Sequence, residues 1–422
     1  TFTEYLKLDQ PEKQERMSIN NLGELIHPYL ESHGKRFVSY EASYFLPPGE
    51  NYGSVLLSLK IKVKNRNNQE EDIYCVAKML PPNEILREYF NTSVTFETEV
   101  IHYNTVMPTL KNFGKEMGVD TLANFCVTCL GARISLDPKS NIADDDAVFV
   151  LENLKMQGYT VGDRFTGFDI ETTKSVLESL ARMHAACLGI KFKKPDVFKA
   201  KILPNLEKGM GFIANDNLLD NLVNTVKKYA AKSPACIPLL DRIGAGVRRM
   251  KDTFVYSKSK EPFASLVHTD LWVNNVLIKF QDGKPSHNIL IDFPLCIYGN
   301  PARDVIFFIY SSANLDVLKT NVDSLIKFYY NNLIGTLKQL KCDTTQMTYD
   351  LFMEEVATAA KNTEFAHCIF MLTPIYTNKG EIKDMRDWKL EDIIPTKEEC
   401  LHPNYHEKLY VTCLDFAKRN WI

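Results

Sequence analysis

The chain has 422 residues, of which 45% are hydrophobic and 24% are charged, and its formal net charge is −3. This length and balance predict a folded protein with a large core, either one bilobed unit or two to three domains, and they exclude an intrinsically disordered chain. A dedicated nucleic-acid binder would carry an excess of basic residues, and a membrane span would need about 18 consecutive apolar residues; the sequence has neither.

The first third of the chain predicts one helix followed by an antiparallel sheet. Apolar residues recur at helical spacing over 21–33, and Asn21 with Glu24 has the pattern of a capping box. Between Val55 and Val63 every second residue is apolar, as in a half-buried strand. The strands of this meander are predicted at 36–46, 54–64 and 73–80.

Beyond Pro81 the pattern is mixed, and from Gly158 onward helices dominate. The mixed part predicts a helix at about 95–107 and strands around 125–133 and 147–152. Later strands are predicted at 276–280 and 288–292, and helices at about 170–189, 211–230, 237–252, 302–313, 321–340, 346–371 and 404–420. The sequence therefore predicts an α+β fold with a sheet-rich lobe over 1–154, a helical lobe over 155–422, and a ligand-binding cleft between them.

The ten cysteines are scattered through apolar stretches, and only Cys126 and Cys129 lie close together. Without a second such pair or a histidine cluster they do not predict a zinc site, and small core residues are the favoured interpretation. The first twenty residues are polar and contain no apolar signal core. Reduced thiols and this polar start together predict a cytoplasmic protein.

The strongest chemical signal is His268-x-Asp270-xxxx-Asn275, followed 17 positions later by Asp292 after three apolar residues. An aspartate on a strand-flanked loop can accept the proton of a substrate hydroxyl, and an asparagine five residues later can offer its amide oxygen to Mg²⁺. A second carboxylate on the next short strand would complete the metal site beside nucleotide phosphates. The alternative is that these residues only form turns beside two strands.

A glycine-containing loop, PPGENYGS, lies between the first two predicted strands. Its backbone N–H groups can approach phosphates, which makes this loop a candidate nucleotide-binding element. An ordinary hairpin turn would use the same residues. The candidate binding positions are Gly49, Asn51, Gly53 and Ser54.

Lys78 lies among apolar neighbours in the third predicted strand, where a lysine needs an anionic partner. Glu99, in the following predicted helix, is the candidate partner. A solvent-facing edge lysine and an ordinary surface glutamate are the alternatives. The order of loop, strand lysine, helix glutamate and HxDxxxxN is that of a nucleotide-dependent kinase.

This order resembles the protein-kinase-like fold, with departures that point to one branch of it. Trp272 stands where a protein kinase carries lysine, the metal loop reads Asp-Phe-Pro, and no Ala-Pro-Glu follows. The chain therefore looks more like the choline and aminoglycoside phosphotransferases. Over most of its length it is similar to the insect ecdysteroid kinase-like (CHK kinase-like) family, through the segments GENYGSVLLSLKIKV, FETEVIHYNTVMPTL, VFVLENLKMQGY, LESLARMHA, HTDLWVNN and IDFPLCIYGNPARD.

The resemblance implies a role for each matching residue. Asp270 would be the catalytic base, and Asn275 and Asp292 would hold Mg²⁺. Lys78 would contact the nucleotide phosphates and pair with Glu99. The hinge would be 151–154, where Glu152 and Leu154 would present backbone groups to the adenine of ATP.

The sequence also departs from the family pattern at three motif positions. The family usually shows His-Gly-Asp, Asp-Phe-Gln and Glu-Asp-Leu, and here Thr269, Pro294 and Asn153 stand instead; Ile297 also replaces a common arginine. A bulkier residue at 269 is tolerable, because protein kinases carry one there. Pro294 matters more, since it removes an N–H and fixes φ directly beside the metal loop.

Three neighbouring residues have structural interpretations. His268 is expected to brace its loop rather than to act as a base. Asp304 is expected either to cap a helix or to hold the catalytic loop. His184, on the apolar face of the helix at 170–189, is expected to be a hydrogen-bonded core histidine.

The resemblance implies an ATP- and Mg²⁺-dependent kinase of a hydroxyl on an ecdysteroid or similar lipophilic alcohol. Its expected partners are ATP and this small substrate, with no nucleic acid and no membrane span. Two alternatives remain: a pseudokinase or lipophile-binding protein, which Pro294 favours, and a choline or aminosugar kinase, which would need acidic residues around a cationic acceptor.

Overall fold

The structure, a computed structural model, describes residues 18–45, 54–208, 216–253, 261–378 and 398–422. The candidate loop residues Gly49, Asn51 and Gly53 lie outside these ranges. Within them, no helix is both long enough and apolar enough to cross a bilayer.

A five-stranded antiparallel sheet forms the first part of the protein, in the order β1-β2-β3-β5-β4. Its strands are β1 (Arg36–Tyr44), β2 (Val55–Lys64), β3 (Glu70–Met79), β4 (Cys129–Arg133) and β5 (Val148–Glu152). The predicted meander is confirmed, and Leu57, Leu59, Ile61 and Val63 of β2 are all buried. They form a core with helix α1 (Leu22–Ser32), because side chains two apart on a strand share one face.

The predicted capping box at the start of α1 is wrong. Asn21 has a left-handed backbone (φ 51°) and its side chain caps no N–H of the helix. A capping box requires an extended N-cap residue, which brings the side chain over the first turn. Instead, Asn21 Nδ2 donates a hydrogen bond to Glu24 Oε2 at 3.1 Å.

The helix predicted at 95–107 is part of a longer helical run. It comprises α2 (Glu84–Tyr89), α3 (Thr92–Ile101), a π-helical turn (His102–Val106) and α4 (Met107–Glu116). The π-helical turn inserts one residue into the helical repeat, so the side-chain faces of α3 and α4 are offset. Glu99 and His102 both lie on this run and are both buried.

The strand predicted at 125–133 begins only at Cys129. Cys126 instead forms an isolated bridge with Leu290 in the later part of the chain. Cys126 is buried and Cys129 half-buried, and all ten cysteines are free thiols, as the core interpretation predicts.

Beyond β5 the protein is mainly helical, which confirms the predicted α+β class. The helices are α5 (Ile170–Lys193), α6 (Pro195–Val197), α7 (Leu203–Leu206), α8 (Asp216–Ala230), α9 (Leu240–Val247), α10 (Met250–Thr253), α11 (Ala302–Ser312), α12 (Leu315–Thr320), α13 (Val322–Gln339), α14 (Tyr349–Ala359), α15 (Phe365–Tyr376) and α16 (Asn404–Lys418). Helix α11 is buried along its whole length and lies at the centre of the large core. The lobe boundary at residue 154 stays a prediction.

Two small sheets interrupt the helices. One has the order β6-β8-β9, formed by β6 (Tyr159–Val161), β8 (Val276–Gln281) and β9 (Lys284–Leu290), and the other pairs β7 (Ser265–Val267) with β10 (Ile297–Gly299). Strand β9 begins and ends earlier than the prediction of 288–292, because Asp282 and Gly283 (φ 52° and 75°) make a tight turn. The segment between β7 and β8 and the segment between β9 and β10 carry the predicted chemical motif.

Candidate active site

Three charged side chains from separate elements meet at one point: Lys78 of β3, Glu99 of α3 and Asp292 after β9. Lys78 Nζ lies 2.7 Å from Glu99 Oε2 and 2.5 Å from Asp292 Oδ1. The alternation of β3 explains the direction of the lysine. Its neighbours Ala77 and Met79 face the core under α1, so Lys78 points to the opposite face, where α3 lies.

The single positive charge of Lys78 is shared by two carboxylates. Burial alone would lower the pKa of Lys78, but Asp292 and Glu99 outweigh it and raise that pKa, so the amine is protonated. Burial raises the pKa of Glu99 to about 7, against the opposing effect of Lys78, and the Asp292 charge adds to the rise. The cluster therefore has excess negative potential, which favours an additional cation.

The segment after β9, which we call the metal loop (291–295), is fixed by its aromatic residue. Asp292 has a left-handed backbone (φ 69°), which places the Phe293 side chain in the core. The Phe293 ring stacks on His102 at 4.0 Å between centroids and lies 4.6 Å from the ring of His268. Burial lowers the pKa of His102 to about 3, so a neutral imidazole packs on Phe293. The position of Asp292 is therefore coupled to the helical run that carries Glu99.

The segment after β7, which we call the catalytic loop (268–275), is fixed by hydrogen bonds to Asp304 of α11. Asp304 Oδ2 and Oδ1 accept hydrogen bonds from the backbone N–H groups of His268 (2.7 Å) and Thr269 (2.8 Å). Of the two roles expected for Asp304, capping a helix or holding the catalytic loop, it has the second. The His268 ring braces the loop, as expected, because its Nδ1 accepts from the Asp270 N–H and its Nε2 donates to the Ile291 carbonyl at 3.1 Å.

His184 supports Asp304 from helix α5. Its Nε2 lies 3.1 Å from Asp304 Oδ2, and its Nδ1 lies 2.6 Å from the hydroxyl of Tyr329. Since a carboxylate only accepts, Nε2 donates its proton to Asp304, and a second hydrogen bond joins Nδ1 to the Tyr329 hydroxyl. All three side chains are fully buried, which confirms the expected core role of His184.

Asp270 and Asn275 face each other across the catalytic loop. Asn275 Nδ2 donates to the Asp270 backbone oxygen at 2.7 Å and to Asp270 Oδ2 at 3.2 Å. Burial raises the pKa of the Asp270 carboxyl well above its usual range, and the Asp292 charge adds to this rise. Asn275 opposes it with its hydrogen bond. The result is a basic carboxylate next to the metal loop.

The oxygen atoms of this site suit a hard cation. Because the NH₂ group of Asn275 donates to Asp270, its Oδ1 is the atom that could bind a cation. Carboxylate and amide oxygens, with water and phosphate, are the ligands that Mg²⁺ takes in proteins. In the described ranges no three His, Cys, Asp or Glu side chains cluster as a metal site, so the donors do not form a closed, all-protein cage.

The predicted hinge follows β5 directly. The carboxylate of Glu152 is already engaged, because it accepts from the Thr128 N–H at 3.0 Å and from Gln157 Nε2 at 2.9 Å. Asn153 caps the short 3₁₀ helix Leu154–Gln157 by accepting from the Lys155 N–H. The N–H of Leu154, first in that helix, has no intrahelical partner. The side chains of Glu152 and Asn153 are therefore engaged within the protein, which leaves backbone groups as the candidate polar contacts for a ligand.

Ser54, at the start of β2, is the one candidate loop residue in the described ranges, and it is buried.

An apolar cluster that includes Leu295 of the metal loop is a feature that sequence reasoning missed. Leu295 and the ring of Phe370 are half-buried and pack against three buried residues of α8, α10 and α15: Leu219, Met250 and Ala366. These segments are far apart in the chain and carry no motif, so no sequence signal brings them together.

Comparisons with known proteins identify the family of the chain. A 4-hydroxytryptamine kinase of Psilocybe cubensis is 29% identical over 109 residues, which are 25% of this chain; the match spans only 28% of that kinase. Two solved structures are similar: an ethanolamine kinase of Plasmodium vivax (13% identity, 91% of this chain and 84% of that one, TM-score 0.39) and a spectinomycin phosphotransferase in complex with ADP and spectinomycin (11%, 93% and 98%, 0.38). Residues 48–342, more than half of the chain, match the ecdysteroid kinase-like family, and the chain belongs to that family.

Proposed function

We propose that this protein is an ATP- and Mg²⁺-dependent kinase that phosphorylates a hydroxyl of a lipophilic alcohol, with an ecdysteroid as the first candidate. The observation that carries the proposal is the meeting of Lys78 with Glu99 and Asp292, next to the Asp270–Asn275 pair. Family membership supports the same reaction class. This arrangement provides an anchor for phosphates, oxygen donors for a cation and a base for a hydroxyl.

Asp270 is the base in this proposal. The acceptor oxygen forms a bond to the γ-phosphorus of ATP while the bond between that phosphorus and the bridging β-phosphate oxygen breaks, which releases ADP. The hydroxyl proton passes to the Asp270 carboxylate. Burial makes this carboxylate more basic than an exposed aspartate, which favours its role as a proton acceptor.

Lys78 would bind the phosphates of the nucleotide, and its ion pair with Glu99 would hold the lysine side chain in place. When bound by Asn275 and Asp292, Mg²⁺ would neutralise charge on the phosphates. The Leu154 N–H and the Glu152 carbonyl are suited to the adenine edge. Gly49, Asn51, Gly53 and Ser54 remain the proposed loop over the phosphates.

The acceptor side of the site supports a lipophilic substrate. Leu295 directly follows Pro294 of the metal loop and belongs to the apolar cluster with Phe370. In this proposal, a substrate whose hydroxyl reaches Asp270 contacts this cluster with its apolar part. Apolar walls favour a steroid-like alcohol over a small cation, because a cationic acceptor would need a desolvated acidic partner.

An acceptor panel tests this proposal. The protein, ATP and Mg²⁺ would be incubated with ecdysteroids, other hydroxysteroids, 4-hydroxytryptamine, choline and aminosugars, and the products identified by mass spectrometry. We expect one phosphoryl group to be added to a hydroxysteroid and no product from the Asp270→Asn variant. Product from choline or an aminosugar alone would contradict the lipophilic acceptor.

Pro294 favours a second candidate function, a lipophile-binding protein without efficient transfer. It has no N–H and a fixed φ in the segment that follows Asp292. Thermal stabilisation by ATP separates the two functions. A kinase gains more stability from ATP with Mg²⁺ than from ATP alone, whereas a lipophile carrier responds to the steroid and shows no Mg²⁺-dependent nucleotide effect.

A further inference from the structure

Thr269, immediately before Asp270, has an unusual backbone for its side chain. Its φ is 66°, in the left-handed region that a β-branched residue rarely adopts and that glycine adopts freely. The residue is also buried, with 3% of its surface exposed. Such a backbone persists only where the surrounding contacts hold it, so these contacts show what the threonine does.

Two hydrogen bonds hold Thr269 in place. Its N–H donates to Asp304 Oδ1 at 2.8 Å, and any residue with an N–H could make that bond. Its hydroxyl donates to the Leu295 carbonyl at 2.7 Å, and only threonine or serine could make this second bond from position 269. The second bond crosses from the catalytic loop to the metal loop.

The catalytic loop is therefore hydrogen-bonded to the metal loop on both sides of Asp292. On the near side, His268 Nε2 donates to the carbonyl of Ile291, the residue before Asp292. On the far side, the Thr269 hydroxyl donates to the carbonyl of Leu295, three residues after it. Asp292 lies between these two points of attachment, and its carboxylate contacts Lys78.

Pro294 increases the influence of the Thr269–Leu295 hydrogen bond on the position of Asp292. A proline fixes the backbone angle φ immediately before Leu295, so the segment from Asp292 to Leu295 has less freedom to absorb a displacement. A shift of the Leu295 carbonyl is then transmitted toward Asp292. Thr269 and Pro294, two departures from the usual family motifs, thus act on the same short segment.

We propose that the Thr269 hydroxyl is a positioning group that fixes the metal loop, and with it Asp292, relative to the base Asp270. This inference rests on the proposed kinase function for its catalytic consequence, but the attachment itself does not depend on any reaction. It also makes Pro294 compatible with activity, since the rigid segment is held at the place where Asp292 is needed.

Three variants at one position separate the hydroxyl from the backbone conformation. Thr269→Val keeps the β-branch and replaces the hydroxyl with a methyl group of similar size. Thr269→Ser keeps the hydroxyl and removes the methyl group, and Thr269→Gly relieves the backbone while removing the hydroxyl. Thr412→Val is a matched control, because Thr412 is another buried threonine and its hydroxyl has no hydrogen-bond partner in the described ranges.

The first readout is amide hydrogen exchange of Phe293, Leu295, Cys296 and Ile297 in the protein without ligands. We expect about tenfold faster exchange in Thr269→Val and Thr269→Gly, and wild-type exchange in Thr269→Ser and Thr412→Val. The second readout is phosphoryl transfer as a function of Mg²⁺ concentration. Thr269→Val should need about tenfold more Mg²⁺ for half-maximal rate and have a lower kcat, with the KM for the acceptor unchanged.

Wild-type exchange in Thr269→Val, or equal damage in Thr269→Ser and Thr269→Val, would overturn the proposal. Faster exchange in Thr269→Val with an unchanged Mg²⁺ requirement and kcat would overturn its catalytic part. If the wild-type protein transfers no phosphoryl group to any acceptor, the proposed function fails, and the exchange experiment still decides whether the hydroxyl fixes the metal loop.

Discussion

Lys78 and Asp292 are 214 positions apart in the sequence, and Lys78 Nζ lies 2.5 Å from Asp292 Oδ1. This contact joins the five-stranded sheet to the segment between the two small sheets. Glu99 binds the same lysine from a third element, at 2.7 Å. Lys78 therefore joins all three elements, and its removal would leave two close carboxylates without a cationic partner.

Replacing Lys78 with methionine should reduce turnover by about a hundredfold or more, because the phosphates lose their cationic partner. The same change should weaken ATP binding and lower the thermal stability of the protein, since Glu99 is buried without a counter-ion. Steady-state kinetics and thermal unfolding measure both effects. Lys60→Met, which removes an exposed lysine of β2, is the control; equal effects of the two variants would contradict the role of Lys78.

The pH dependence of stability tests the environment of Asp270. Since its pKa is raised in the folded protein, the folded state binds a proton that the unfolded state has released, and stability falls as pH rises through the raised pKa. Asp270→Asn has no carboxyl to titrate at this position, so the variant does not lose stability in this way. Its free energy of unfolding should therefore exceed that of the wild type by an amount that grows with pH and then levels off.

Denaturant unfolding between pH 4 and pH 9 measures this difference. Asp241→Asn, at a fully exposed side chain, is the control and should give no such trend. A difference that shrinks with rising pH would show that the Asp270 carboxylate is stabilised, not destabilised, by its surroundings.

Lys408 of α16 provides a second test of a buried charge, far from the motif. It is 1% exposed, its Nζ donates to the Ala313 carbonyl, and burial lowers its pKa to about 7. Below that pH the folded protein holds a buried cation. Above it, only the unfolded chain keeps this proton, so the free energy of unfolding rises with pH toward the ordinary pKa of lysine, about 10. Lys408→Met should stabilise the protein at pH 7 by a few kcal/mol, on the order expected for such a shift.

The advantage of Lys408→Met should shrink as the pH approaches 10, because wild-type Lys408 no longer carries a charge in either state. Lys418→Met, an exposed lysine on the same helix, is the matched control. Loss of stability in Lys408→Met at all pH values would show that the amine contributes more than its burial costs.

A buried ion pair supports the helix that carries Asp304. Arg303 Nε lies 2.6 Å from Glu364 Oε1, and His367 Nδ1 lies 3.0 Å from Glu364 Oε2, all in the core. Glu364→Gln should destabilise the protein by about 3–5 kcal/mol, because it removes the negative member of a buried ion pair. The double variant with Arg303→Met should recover much of this loss in denaturant unfolding; additive losses would contradict a direct coupling between Arg303 and Glu364.

The sequence predicted the elements whose signal is local. Alternation in β2 and helical spacing in α5 and α13 identified them, since each has a continuous buried face. The spacing of Asp270, Asn275 and Asp292 placed the candidate site, because these residues lie on two loops beside adjacent strands. Lys78 stood out as a charge in an apolar strand, which required an anionic partner.

Other features depend on tertiary contacts and could not be predicted. The strands β6, β7 and β10 have three residues each, too few for a periodic pattern. The left-handed backbone of Thr269 is imposed by Asp304, which lies 35 positions later. The cluster of Leu295 and Phe370 brings together segments without a motif, so it emerged only from the fold.

The most direct test of the central claim compares the wild type with Asp270→Asn in phosphoryl transfer and in ATP binding. We expect that the wild type forms a phosphorylated alcohol, that Asp270→Asn loses turnover by about a thousandfold, and that both bind ATP with Mg²⁺ at similar affinity. Transfer by Asp270→Asn within about tenfold of the wild type would show that Asp270 is not the base, and no transfer by the wild type to any alcohol would contradict the kinase.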